Sequence, residues 1–202
     1  MKAIEQLPTT AISDALKGKN HLPASIKPLA AHYRLIGKAV TVKLPIYENG
    51  AVMEAMLVAS PGDVLVVDIQ NDTTRAIAGD FVLSMMQKLG LAGVVVYGAI
   101  RDVEAAKNLD FPIFVTGTTT AAGVKNGGGQ VNVPLTIEKT TIHPGDLIVG
   151  DADGVVVVPA MIVDEVMLDA KEKMEKDTLR EQTVLKTTET IQAHLREVTS
   201  KF

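Results

Sequence analysis

Short Val-rich runs constrain this chain more than any other feature. Asp63 to Ile69 reads DVLVVDI, Ala92 to Tyr97 reads AGVVVY, and 154–159 reads GVVVVP. Runs this short, apolar and β-branched, bounded by Gly, Pro or Asp, predict buried strands. Gly37 to Leu44 (GKAVTVKL) alternates and predicts a further strand, and Pro112 to Thr116, 131–137 and 147–150 add others. Helical spacing falls between the early strands: a short helix after Thr9 and Thr10, either of which could cap it, ending near Gly18, and another over 51–60.

Residues 73–90 read as helical in pattern, with a start or restart at Gly79-Asp80. Beyond it Phe81, Val82, Met85, Met86 and Leu89 form an amphipathic stripe that Gly90 ends. Gly98-Ala99-Ile100 is expected to turn into a helix starting near Asp102. Residues 117–130 form a loop with five Gly, and 161–202 is charged and helical, as two helices or one broken helix. Helices alternate with strands early and give way to strands later. The expected fold is therefore a layered α/β domain with mixed sheets, over 1–160, plus a C-terminal helical extension at 161–202. The segments 61–68 and 144–151 both open Pro-Gly-Asp and read as one turn-strand unit used twice.

Composition narrows the function. The 202 residues carry 20 basic and 24 acidic side chains with no basic cluster, and aromatics make up 3%. Phosphate contacts and base stacking both lack their residues, so nucleic acid is not an expected partner. Without Cys, thiolate chemistry and Cys-bound zinc are excluded. A metal site would use oxygen ligands and favour a hard ion. No apolar run approaches the ~20 residues of a membrane span, and the first twenty residues lack the apolar core of a signal peptide. The expected location is the cytoplasm, with no membrane partner.

Two short elements could carry chemistry. Arg101-Asp102 follows a fully apolar strand, where α/β sheets collect ligands. By position alone, Asp102 reads first as a helix cap and Arg101 as a solvated charge. Gly79-Asp80-Phe81-Val82 opens a helix whose free N–H groups suit an anion, though Asp80 is also a capping residue. Together they supply what a keto acid needs: N–H groups for its carboxylate, an Arg for its keto oxygen and a carboxylate to hold a metal. Other motifs fall short. Gly127-Gly128-Gly129 lacks the ending of a phosphate-binding loop. Gly150 to Gly154 lacks the remaining ligands of a calcium loop and reads as a tight turn. His21, His32, His143 and His194 show no ligand spacing. The Lys residues lie mostly in charged or loop segments rather than the apolar setting of a Schiff-base amine. Methyl transfer to a quinone would call for a nucleotide fingerprint, which is missing.

The runs GVVVYGAIRDV (93–103) and GDLIVGDADGVVVVP (145–159), with TAISDAL and PGDVLVVD, resemble the group containing 4-hydroxy-4-methyl-2-oxoglutarate aldolase and the regulator of ribonuclease activity A. The resemblance spans roughly residues 9–175. Its key motif, an acidic residue or Gly, twenty residues and Arg-Asp, reads here as Asp80, 81–100, Arg101-Asp102. The resemblance implies a layered β/β/α, swivelling-domain-like fold, assembled as a homotrimer or hexamer. It implies substrate binding by Gly79, Asp80, Phe81, Val82 and Arg101, with Arg101 and Asp80 catalytic and Asp102 ligating a divalent cation, Mg²⁺ or alternatively Mn²⁺. The implied reaction is metal-dependent carbon–carbon cleavage of a pyruvate-like keto acid. It is either retro-aldol cleavage of 4-hydroxy-4-methyl-2-oxoglutarate or decarboxylation of oxaloacetate, through a pyruvate enolate. The aldolases of the group carry an acid three residues after the motif Asp; that position is Ala105, with Glu104 one residue earlier. This departure and Asp80 favour the decarboxylase and regulator branch. A regulator that binds a ribonuclease is the alternative reading. The phosphohistidine swivelling domain is set aside, because the Gly/Thr loop has no His.

Overall fold

The computed structural model describes residues 7–202, so the first six residues of the expected 1–160 unit lie outside it. At its centre are four parallel strands, β2 (Leu35–Lys43), β3 (Val64–Asp68), β4 (Gly93–Ile100) and β5 (Ile113–Thr118). The two middle strands, β3 and β4, are buried along nearly their whole length, as unbroken β-branched runs require when both faces are covered. β1 (Lys27–Pro28) adds antiparallel outside β5. On the other side, β2 divides its free edge. Its first half pairs with β9 (Leu147–Asp151) and its end with β6 (Gln130–Val131), both antiparallel. β10 (Gly154–Val158) extends β9. The order is β1-β5-β4-β3-β2-β9-β10 in an 8-stranded sheet. His21, just before β1, bridges back to Val156 of β10, so the sheet nearly closes on itself. The short hairpin of β7 (Leu135–Ile137) and β8 (Thr140–Ile142) stands apart.

Helices α1 (Thr9–Ala15), α2 (Gly50–Val58), α3 (Asp80–Lys88) and α4 (Val103–Asn108) lie among the strands, and α5 (Val163–Val184) and α6 (Thr188–Thr199) follow them. The mixed sheet with C-terminal helices is the layered architecture expected. α5 buries Val166, Met167 and Ala170 in an apolar cluster with Ala11 and Ile12 of α1 and Val156 and Val158 of β10. α6 buries no residue. Among the described residues no helix is long and apolar enough to cross a membrane.

The structure corrects several local expectations. Thr9 does not cap α1; it is the first helical residue, and its hydroxyl donates to Asp151 Oδ1 at 2.6 Å. The run 131–137 is broken, because Asn132 takes φ 55° and Pro134 has no N–H for a ladder. The stripe on α3 rotates: Leu83 and Met86 are the buried residues, while Phe81 is 74% exposed. The Pro-Gly-Asp unit is indeed used twice. Gly62 and Gly145 take φ 88° and 87°, a region glycine enters without strain. In each copy the Asp carboxylate accepts an N–H three residues back, Ser60 N to Asp63 and His143 N to Asp146. Gly150 to Gly154 is a turn between β9 and β10, tied by Asp153 N donating to Asp151 Oδ1 at 3.0 Å.

Candidate functional site

The site forms where β4 ends. The expected turn at Gly98-Ala99-Ile100 is strand instead, because residues 76–78, expected to be helical, run extended beside it. Ala76 bridges Ala99, Ile77 N donates to Ala99 O at 2.9 Å, and Arg101 N donates to Ala78 O at 3.0 Å. This pairing draws Gly79 against Arg101 and Asp102. A Cβ on Gly79 would lie 2.3 Å from Asp102 Oδ2 and 3.1 Å from Arg101 Nε. Only a residue without a side chain fits there.

Asp102 occupies the capping position of α4 with φ 60° and ψ 45°. This left-handed conformation is one that Asp tolerates. Its carboxylate accepts nothing from α4. It reaches sideways to α3, where Oδ2 accepts the Asp80 N–H at 3.3 Å and lies 3.4 Å from Arg101 Nε. Capping by position and a role elsewhere by side chain are thus both present. The Arg101 and Asp102 side chains remain 42% and 39% exposed. An ion pair that open contributes at most about 1 kcal/mol, so stability does not account for the arrangement.

The Asp80-to-Arg101 spacing therefore brings Gly79, Asp80, Arg101 and Asp102 together, as the sequence pattern suggested. The N–H cradle differs in detail. Phe81 N donates to Asp80 Oδ1 at 2.7 Å, and Asp80 N is directed at Asp102. Two of the four N–H groups at the start of α3 thus already face carboxylates of this chain. Those of Gly79 and Val82 have no protein acceptor among the described residues. Asp80 also marks where two hollows meet. A cleft of about 240 Å³ runs from Arg101 past residues 76–82, and a wider basin of about 620 Å³ is lined by Asp80, Arg101, Asp102 and residues 103–105. Glu104 puts a carboxylate on the basin wall, beside Ala105.

Part of the cleft lining gave no signal in the sequence: Asn49 at the capping position of α2, and Ala122, Gly123 and Lys125 of the Gly-rich loop. The loop is stitched in place by the backbone: Gly123 N donates to Ala76 O at 2.9 Å, and Val124 N to Tyr47 O at 2.7 Å. Glu48, buried, fastens it further. Its Oε1 accepts Asn49 N and Gly50 N, and its Oε2 accepts Asn126 N at 2.9 Å. The Gly50 N–H, with those of Asn126 and Asn49, holds the Glu48 carboxyl below the usual range despite burial. The Val124–Tyr47 and Glu48–Asn126 contacts join segments more than seventy positions apart, which no local pattern reports.

The chain is similar to known proteins over most of its length. Residues 9–157 match the RraA-like family, described as Aldolase/RraA. The chain is 50% identical over 192 residues to a protein of Halalkalibacterium halodurans provisionally named as a 4-hydroxy-4-methyl-2-oxoglutarate aldolase, covering 95% of this chain and 91% of that one. It is 30% identical over 152 residues to the 4-hydroxy-4-methyl-2-oxoglutarate aldolase of Thermus thermophilus, covering 75% of this chain and 92% of the relative. Among solved structures it is similar to Streptomyces coelicolor RraAS2, an unusual member of the RNase ES inhibitor RraA family. The TM-score is 0.81 at 26% identity, with 90% of this chain and 96% of that one covered.

Proposed function

We propose, given that the chain belongs to the RraA-like family, that it is a divalent-metal-dependent lyase that cleaves a carbon–carbon bond in a pyruvate-like keto acid. The observation that carries this reading is the convergence of Asp80, Arg101 and Asp102 on the start of α3, with Gly79 kept bare to allow it. The aldolase relatives support a lyase. Decarboxylation of oxaloacetate is the narrower proposal, and retro-aldol cleavage of 4-hydroxy-4-methyl-2-oxoglutarate is its companion at the same site.

In this reading the substrate keto oxygen lies against the Arg101 guanidinium. Cleavage of the C3–C4 bond leaves its electron pair in a pyruvate enolate, whose oxygen charge Arg101 stabilises. It releases CO2 from oxaloacetate or, once the C4 hydroxyl has given up its proton, a second pyruvate from 4-hydroxy-4-methyl-2-oxoglutarate; the enolate then takes a proton at C3. Gly79 N–H and Val82 N–H are free to meet the substrate carboxylate. Asp80 stands beside both and handles the proton. The donor set suits a hard cation: both Asp102 contacts use Oδ2, which leaves Oδ1 free, and Asp80 and Glu104 share the basin. Among the described residues no three His, Cys, Asp or Glu side chains form a cage. One or two carboxylates completed by water and substrate match Mg²⁺, with Mn²⁺ the alternative. When bound, the cation would act as a Lewis acid toward the keto oxygen. Exposed Phe81 on the cleft rim is the kind of side chain a second copy would cover, in keeping with a homotrimer or hexamer.

The test measures pyruvate released from oxaloacetate and from 4-hydroxy-4-methyl-2-oxoglutarate, with Mg²⁺, with Mn²⁺ and with EDTA. Turnover that EDTA abolishes and that Arg101→Ala and Asp102→Ala both lose is the expected result. Unchanged kinetics in both variants would sink the assignment. The likeness to a ribonuclease inhibitor's family supports a second reading, a regulator that binds a ribonuclease. Absence of any metal-dependent turnover would favour it.

A further inference from the structure

We propose that Glu48 is a positioning residue for Arg101: its buried carboxylate anchors the outer edge of a small parallel array of segments that carries the cleft. The inference rests on the reading of Arg101 as the group that meets the keto oxygen.

The array extends the end of β4 sideways. Its segments are 47–49, 121–124, 76–78 and 99–101. Parallel bridges join Glu48 to Val124, Ala122 to Ala76, and Ala76 to Ala99. All four segments run the same way, so their carboxyl ends lie together. Those ends carry Asn49, Lys125, Gly79 with Asp80, and Arg101, and all five residues line the cleft.

Each junction is thin. Val124 N donates to Tyr47 O at 2.7 Å and Asn49 N to Val124 O at 3.0 Å. Ala76 N donates to Ala121 O at 2.8 Å and Gly123 N to Ala76 O at 2.9 Å. Ile77 N donates to Ala99 O at 2.9 Å and Arg101 N to Ala78 O at 3.0 Å. The middle is also tight: a Cβ on Gly123 would stand 3.0 Å from both Ala76 O and Tyr47 O. Glu48, 4% exposed, spans the outermost junction. Oε1 accepts Gly50 N at 2.8 Å and Asn49 N at 3.0 Å, and Oε2 accepts Asn126 N at 2.9 Å. One carboxylate thus ties the start of α2 to the residue after Lys125, and it does so through main-chain donors. Losing it leaves the outer segment on its two bridge bonds and the freed N–H groups short of an acceptor. The same short segment bonds Tyr47 on one side and Ala76 on the other, and 76–78 in turn holds the Arg101 N–H. Contiguous hydrogen-bonded segments of this kind are what couples distant groups.

Glu48→Gln keeps the shape but turns an amide NH₂ toward backbone donors. Amide hydrogen exchange, read by mass spectrometry on the full chain without substrate, tests the coupling. Exchange is expected to rise about tenfold in peptides covering 121–127, 74–79 and 99–103, and to stay at the wild-type value in 64–68, inside β3. The kcat for pyruvate release should fall about tenfold, less than for full misplacement of the reacting groups. Thr9→Val, which weakens the fold away from the cleft, should leave exchange in 99–103 and kcat as in wild type. Gly50→Ala carries the same test should Glu48→Gln not fold: its Cβ would lie 3.1 Å from Glu48 Oε1 and displace the carboxylate without removing its charge. The same pattern, smaller, is expected. Wild-type exchange in 99–103 in both variants overturns the inference. So does equal acceleration in 64–68, which marks a global effect, or an unchanged kcat. A wild-type chain that turns over neither keto acid removes the lyase reading, while exchange in 99–103 still decides whether Glu48 holds Arg101 in place.

Discussion

Gly79 and Asp102 are in such close approach that a Cβ on the glycine would stand 2.3 Å from the carboxylate oxygen. The contact joins the start of α3 to the end of β4, the two segments that carry Asp80 and Arg101. Gly79→Ala must therefore push Asp102 and Arg101 out of position. A misplacement of about 1 Å at a reacting centre costs on the order of 10²-fold in rate. The expected outcome is that loss in kcat/KM for keto-acid cleavage with a far-ultraviolet circular dichroism spectrum like that of the wild type. A fully active Gly79→Ala enzyme would show that the approach is incidental.

Arg101→Lys keeps the charge but loses the planar fork. A Lys ammonium cannot reproduce two parallel donors toward an enolate and a carboxylate. Turnover should fall by about 10²–10³-fold, the range seen when one preorganised donor to a developing oxyanion is removed. Steady-state pyruvate release measures it. Comparable rates in the two proteins would mean that charge alone suffices.

Thr9 and Asp151 tie α1 to β9. Burial pushes the Asp151 carboxyl up, but the Thr9 hydroxyl and the Thr9 and Asp153 N–H groups offset this and hold it below its usual 3.8. Thr9→Val removes the hydroxyl donor and leaves a buried oxygen short of a partner, at a cost of about 1–3 kcal/mol. Thermal unfolding should shift down by about 2–4 °C per kcal/mol. An unshifted midpoint would place the tie elsewhere.

Glu48 gives a pH signature. Its folded pKa lies below the ordinary 4.5, chiefly through the Gly50 N–H. A depressed carboxylate contributes stability that is complete above its unfolded pKa and is lost as pH falls through its folded one. Glu48→Gln should therefore unfold more easily at neutral pH, with the gap to wild type closing as acid titrates the carboxylate. Urea midpoints taken from pH 7 downward through the carboxylate range check this. A gap that stays constant would remove Glu48 from the acid response.

Helix α6 buries no residue. Deleting residues 185–202 should leave the unfolding midpoint of the remaining chain within a few degrees of wild type. A collapse in stability would show that α6 is covered in the assembled protein, and light scattering of both forms would show whether copies separate.

The sequence by itself determined the order of the helices and of the longer strands β2, β3, β4, β5, β9 and β10. Unbroken Val-rich runs can be stable only where both faces are covered, and Gly and Pro mark their ends. It also supplied the Asp80-to-Arg101 spacing, because those residues flank one helix–strand unit. The stretch 73–78 has a helical pattern yet is not helical, since residues 76–78 hydrogen-bond to the end of β4 and to Ala121 instead of to one another. Only the tertiary structure decided the rest of the cleft lining. Asn49 and Lys125 belong to a helix start and a Gly-rich loop with no periodicity, and backbone pairing between distant segments brings both to the cleft that Arg101 also lines. The chain encodes its strands locally, where burial pattern is enough, and encloses its site non-locally, where only the closing of the fold creates the contact.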